Sequence, residues 1–96
     1  MKKVKLNITK SNIKNGTIAD PSNCPIANSI KDKVRGLIYV SVLADYAFVG
    51  IKRGKKTAQY KAPLAKEANT FVKSFDRGNN VKPFNFELVL NKLNTI

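Results

Sequence analysis

Apolar and polar residues alternate at the start of the chain, where Val4, Leu6 and Ile8 are separated by Lys5 and Asn7. A period of two is the pattern of a β-strand that buries one face and exposes the other. The sequence therefore predicts that the first element is a strand whose lysine-bearing face is solvated.

A helix is predicted next, after residues 10–16, which are expected to form a helical turn that leads into a loop. Asn23 or Cys24 can cap the N-terminus of this helix, and Pro25 suits its first turn. The apolar residues that follow are spaced four apart and form one narrow stripe: Ile26, Ile30 and Val34. Gly36 is expected to end the helix.

Three segments rich in β-branched and aromatic residues predict three consecutive strands. They cover residues 37–43, 46–52 and 57–61, with a turn signal at Asp45 and a predicted loop over residues 53–56. Because short connections join antiparallel strands, we expect the three strands to form a meander.

A second helix is predicted to open at Pro63, where a proline suits the first helical turn, and to end at Gly78. Its apolar face is formed by five residues: Leu64, Ala68, Phe71, Val72 and Phe75. A last strand is predicted from Phe84, and the tail over residues 91–96 is expected to be loose. Four aromatic residues should meet where this helix packs on the last strand: Phe71, Phe75, Phe84 and Phe86.

The predicted order β-α-β-β-β-α-β is that of an α+β fold, with two helices and a mainly antiparallel sheet. At 96 residues the chain is expected to form one domain, spanning residues 1–96. Its longest apolar stretch falls far short of the roughly 20 residues that a spanning helix needs. We therefore expect a protein that is neither secreted nor membrane-spanning.

The charge of the chain points to an anionic partner. It carries 18 Lys and Arg against 6 Asp and Glu, a formal net charge of +12. A surplus of this size destabilises the compact state by self-repulsion and attracts polyanions. Most of the basic residues are Lys, which acts as a point charge and suits unspecific attraction better than base reading. The codon usage of an AT-rich genome is an alternative origin for the lysine excess.

The residue types needed for catalysis are scarce. The chain has no His, and its single cysteine, Cys24, can form neither an internal disulfide nor, without histidine, a zinc site or a Cys–His nucleophile. Asp76 and Glu87 lack a second group that would orient them as a general base. We expect a protein that is not an enzyme, with no cofactor, no metal site and no small-molecule substrate.

Two basic groups are candidate contacts for an anionic partner. One lies on the predicted hairpin loop and consists of Lys52, Arg53, Lys55 and Lys56. The other lies at the N-terminus, where Lys2 and Lys3 precede Lys5. Alternatively, the first group is a solvent-exposed turn whose charges discourage edge-to-edge strand pairing. The second is then simply the solvent-exposed face of the first strand. The three tyrosines are candidate platforms for base stacking or, alternatively, packing residues: Tyr39, Tyr46 and Tyr60.

Three short segments together resemble a family of small proteins from tailed-phage genomes. They are Asn23-Cys24-Pro25-Ile26-Ala27, Phe71-Val72-Lys73-Ser74-Phe75-Asp76-Arg77-Gly78 and Pro83-Phe84-Asn85-Phe86-Glu87-Leu88. The resemblance implies a phage origin, and with it a location in a virion or in a host cytoplasm. It carries no activity and no functional residues over to this chain.

A phage origin, with this charge, favours a virion-associated auxiliary capsid protein that acts by surface binding. Its lysines would then face an acidic protein surface such as the capsid shell, or the packaged DNA. A nonspecific nucleic-acid-binding accessory protein is an alternative. An inhibitor of a host defence complex is another.

Overall fold

The α+β prediction is confirmed by the computed structural model, which describes residues 2–43 and 45–95, without the side chains of residues 2, 94 and 95. The strands are β1 (Lys2–Ile8), β2 (Leu37–Val42), β3 (Tyr46–Arg53), β4 (Lys56–Pro63) and β5 (Phe84–Thr95). The helices are α1 (Lys10–Asn15), α2 (Pro25–Lys33) and α3 (Lys66–Asp76). The described part of the chain thus has three helices where the sequence predicts two. Its helices are all too short or too polar to cross a membrane.

The strands form one sheet in the order β1-β5-β4-β3-β2, and all neighbouring strands are antiparallel. The predicted meander of β2, β3 and β4 is present. The twelve-residue strand β5 pairs with β1 through its first half and with β4 through its second half. Residues 91–95 therefore differ from the expected loose tail, because they satisfy the backbone groups of β4 that β3 leaves unpaired. Ile96 lies outside the described residues.

Helix α2 packs between the two edges of the sheet. It contacts β1 at one edge and β2 at the other, so the sheet curls around it. The predicted stripe faces inward, with Ile26 and Ile30 fully buried and Val34 at the end of the helix also buried. Inward-facing residues of every strand complete the core, among them Leu6, Leu88 and Val49.

Of the two predicted capping residues, Asn23 and Cys24, the structure has Cys24 as the cap of α2. Its Sγ accepts a hydrogen bond from the Ala27 backbone N–H at 3.4 Å, and Pro25 occupies the first turn. The helix ends earlier than predicted, because it stops at Lys33 and Val34 is already extended. Gly36, the predicted stop, instead takes a φ of 73° in the turn that follows, a conformation that glycine adopts without strain.

Helix α1 is longer than the single turn that the sequence predicts. Thr9 accepts a hydrogen bond from the Asn12 backbone N–H at 3.1 Å, and Asn12 Oδ1 accepts one from the Thr9 N–H at 3.0 Å. This reciprocal capping box uses Asn where Glu or Gln is usual, which is why the pattern gave a weak signal. Asn12 also donates to Asp32 in α2 at 2.9 Å.

The start of α3 differs from the prediction. Pro63 is the last residue of β4, paired with Tyr46 of β3, and the helix begins at Lys66. Leu64 N–H then donates to the Asp45 carbonyl at 2.9 Å. Pairing with β3 therefore holds the chain extended past the proline, a conformation compatible with its fixed φ.

The four phenylalanines meet as predicted. The ring centroids of Phe71 and Phe84 are 4.9 Å apart, and those of Phe84 and Phe86 are 5.5 Å apart. Phe75 stacks parallel to Phe71 with a centroid distance of 6.3 Å. Aromatic pairs at these distances stabilise beyond the area they bury, so the cluster fastens α3 to β5.

Candidate functional site

An open groove of about 770 Å³ lies where β1, β3 and the end of α2 meet. Six of its lining residues are cationic: Lys3, Lys5, Lys33, Arg35, Lys52 and Arg53. Val4, Val34 and Ile51 also line it, and Glu87 is the one acidic residue among the described residues of its wall. We call this feature the basic groove.

The connection between α2 and β2 brings two of the cationic segments together. Lys52 N–H donates to the Gly36 carbonyl at 2.8 Å, which places Arg35 beside the end of β3. Leu37 pairs with Ile51 directly afterwards. The positive φ of Gly36 makes this reversal of the chain possible.

Two further contacts position side chains in the basic groove. Arg53 Nη2 donates to the Tyr60 hydroxyl at 3.2 Å, and Tyr60 is itself buried in the core. Lys3 Nζ lies 4.0 Å from Glu87 Oε1, with both side chains largely exposed. An exposed pair of this kind contributes little to stability, so it leaves Lys3 available to an incoming anion.

The structure divides the six predicted contact residues. Lys3, Lys52 and Arg53 line the basic groove. Lys55 lies in the β3–β4 turn and Lys56 begins β4, both exposed and outside the lining of the groove. The side chain of Lys2 lies outside the described residues.

The predicted loop over residues 53–56 is shorter than expected. Arg53 pairs with Lys56, so Gly54 and Lys55 alone connect β3 to β4. Gly54 has a φ of 61°, and glycine at the first central position is typical of a tight hairpin turn. Strand β3 consequently includes Arg53 as well as Lys52, so both belong to the sheet rather than to a flexible loop.

The sequence analysis missed two residues of the basic groove, Lys33 and Arg35. Lys5, which it placed beside Lys2 and Lys3 in the N-terminal basic group, also lines the groove. The only sequence feature that could have pointed to Lys33 is its position in the last turn of the predicted helix, shortly before Gly36. Helix ends favour cations for electrostatic reasons alone. The nearness of Lys33 and Arg35 to the cations of β1 and β3 is therefore a property of the tertiary structure.

A second feature is the outer face of β2, β3 and β4, which is the side of the sheet away from the core. Tyr46 and Phe48 lie on this face of β3, and Tyr39 of β2 lies opposite Gly50. Tyr39 is 38% exposed and Tyr46 is 42% exposed. Lys61 Nζ is 4.1 Å from the ring centroid of Tyr46. Two of the three predicted stacking tyrosines thus share a face with a lysine.

Tyr60, the third tyrosine, points to the opposite side of the sheet. It is only 7% exposed, and its hydroxyl accepts the hydrogen bond from Arg53. The stacking interpretation is therefore wrong for Tyr60, because its position in β4 alternates with the outward-facing Gln59 and Lys61.

The groups considered for other chemistry have structural partners. Burial raises the pKa of the Cys24 thiol above its ordinary value of 9.0, which disfavours the reactive thiolate. Asp76 Oδ1 accepts a hydrogen bond from the Ala19 backbone N–H at 3.1 Å, which ties the end of α3 to the loop before α2. Within residues 2–43 and 45–95 no cluster of metal-ligating side chains is found.

Comparison of this chain with protein-family models, with curated proteins and with solved structures finds no match.

Proposed function

We propose that this protein is a non-enzymatic phage accessory protein that binds the phosphate backbone of nucleic acid through the basic groove. The observation that carries the proposal is the convergence of six cationic side chains from three separate segments on one concave surface. Concave surfaces lined by charge of one sign focus the electrostatic field and raise the local concentration of counter-ions. A chain of phosphates can follow such a groove.

The composition of the groove suits unspecific binding. Four of its cations are lysines, which neutralise phosphates as point charges. Its two arginines, Arg35 and Arg53, can each make bidentate contacts to phosphate oxygens. Backbone contacts of this kind position a protein on nucleic acid without reading its sequence.

The test is a titration of labelled duplex DNA at several salt concentrations, read by fluorescence anisotropy. The slope of log K against log salt changes by about 0.9 for each phosphate neutralised on duplex DNA. The double variant Lys33→Gln/Arg35→Gln should weaken binding and reduce the magnitude of the slope by the contribution of about two phosphate contacts.

The matched control is Lys55→Gln/Lys56→Gln, which removes the same charge from the turn outside the groove. It should leave most of the salt slope in place. Equal effects of the two double variants would show that net charge alone drives binding. Failure of the natural protein to bind near physiological salt would also overturn the proposal.

The second candidate is the virion-associated auxiliary capsid protein. It draws support from two large apolar side chains that are exposed at the edge of the sheet, Ile38 in β2 at 55% and Leu43 directly after β2 at 46%. Apolar side chains on a surface can mark a contact with a protein partner. A capsid component should be present at many copies in purified particles. Mass spectrometry of particles that detects no copies would contradict this candidate, and co-purification with one host complex would favour a defence inhibitor instead.

A further inference from the structure

We propose that the outer face of β2, β3 and β4 stacks unpaired bases, so that the protein prefers single-stranded nucleic acid. This inference rests on the proposed function, because the basic groove would supply the phosphate contacts. It concerns a different surface and a different part of the nucleotide.

The aromatic rings on the outer face form a row. Tyr46, Phe48 and Gly50 occupy successive outward positions of β3, and the ring of Tyr39 covers Gly50. Outward positions of a strand repeat every two residues, which is about 6.6 Å. Three rings therefore follow one another along a single strand direction.

The row leads into the basic groove. Lys52 is the next outward residue of β3 after Gly50, and it also lines the groove. The distance from Tyr46 to Lys52 along the strand is about 20 Å. A single strand could thus place its bases on the rings while its backbone continues into the groove.

Charge accompanies the aromatic row. Lys61 Nζ lies 4.1 Å from the centroid of the Tyr46 ring and 5.9 Å from that of Phe48. A cation above an exposed ring is held weakly compared with a stacked base. A base can therefore displace the Lys61 ammonium, which is then free to contact the adjoining phosphate. Aromatic platforms with interleaved cations are the usual means of binding single strands without sequence preference.

The exposed aromatic rings of the outer face favour a single strand over a duplex. Bases in a duplex are stacked on one another and present only their edges in the grooves. Exposed rings on a sheet can stack only with bases whose flat faces are free. Tyr39 and Tyr46 contribute ring surface to a solvent-exposed sheet, which is the arrangement that unpaired bases require.

The experiment compares three labelled probes of equal phosphate number per strand. They are an oligothymidylate of about 12 nucleotides, an abasic strand of the same length and a duplex of that length. A single strand of this length is within the range of site sizes that single-strand-binding domains cover. The natural protein should bind the oligothymidylate at least about five-fold more tightly than the abasic strand. Because the chain has no Trp and three Tyr, intrinsic tyrosine fluorescence should be quenched by the oligothymidylate and not by the abasic strand.

Two variants test the residues involved. Tyr46→Leu and Tyr39→Leu keep apolar bulk on the sheet and remove the rings, so each should reduce the preference for the oligothymidylate and leave abasic binding unchanged. Ile18→Ala, which alters an exposed apolar side chain in the loop before α2, is the control. Thermal unfolding of each variant verifies that it is folded.

The outcomes separate the two proposals. Equal affinity of the natural protein for the oligothymidylate and the abasic strand would overturn the stacking inference and leave the groove intact as a phosphate site. Duplex binding as tight as single-strand binding would also overturn it. Absence of binding to all three probes would overturn the proposed function as well.

Discussion

The ring of Tyr39 in β2 lies directly over Gly50, its partner in β3, and occupies the space that a side chain at position 50 would need. A Cβ built on Gly50 would overlap the Cε1 and Cδ1 atoms of Tyr39. A glycine inside a strand weakens it, since it has no side chain to pack. The aromatic ring compensates by covering the exposed backbone.

Gly50→Ala should therefore destabilise the protein by about 1 kcal/mol, the low end for an overpacking substitution, because the new methyl group forces the partly exposed Tyr39 ring off the sheet. The free energy of unfolding is measured by urea denaturation. The matched comparison is the same substitution in a Tyr39→Ala background, where no ring stands in the way. The loss there should be much smaller, and additive effects of the two substitutions would contradict this account.

Asn12 joins α1 to α2 and is buried, with its side chain both capping α1 and donating to Asp32. Asn12→Ala should lower the free energy of unfolding by about 1–3 kcal/mol, because the Thr9 N–H loses its acceptor and Asp32 loses a donor. Asn15→Ala in the same helix is the control, since the side chain of Asn15 is exposed and bonds only locally to Ser11. Its effect on the free energy of unfolding should stay within about 0.5 kcal/mol.

Phe75 lies in the aromatic cluster between α3 and β5 and is buried. Phe75→Ala should destabilise the fold by about 3–5 kcal/mol, since it removes a ring from the core and leaves a cavity. Leu93→Ala, at an exposed position of β5, should change the stability little. A measured loss below about 1 kcal/mol for Phe75→Ala would be incompatible with its place in the cluster.

Cys24 gives the stability a dependence on alkaline pH. Burial raises the pKa of its thiol above 9.0 in the folded state, so the unfolded chain releases this proton at lower pH than the folded protein does. The free energy of unfolding should therefore be fully retained below about pH 9 and decrease as the pH rises further. In Cys24→Ser, where a hydroxyl can still cap α2, the part of this alkaline decrease that comes from the thiol should vanish. Urea denaturation of both proteins from neutral to alkaline pH isolates it, since the two proteins differ only at residue 24.

Local patterns determined much of the fold. The alternation around Leu6 predicted β1, and Pro25 after a capping residue predicted the start of α2. The spacing of aromatic residues predicted the cluster that contains Phe71 and Phe84. These features could be predicted because a period of two or of four along the chain records which side of an element is buried. The charge of +12 is also a property of the sequence alone.

The tertiary structure decided the rest, because it depends on which distant segments become neighbours. The sequence could not tell that Pro63 would continue a strand, since the pairing with Tyr46 of β3 overrides a local helix signal. Nor could it show that residues 91–95 would pair with β4. The basic groove has the same origin. Lys3, Arg35 and Lys52 are far apart in sequence and meet only because the sheet curls around α2 and Gly36 turns the chain back toward β3.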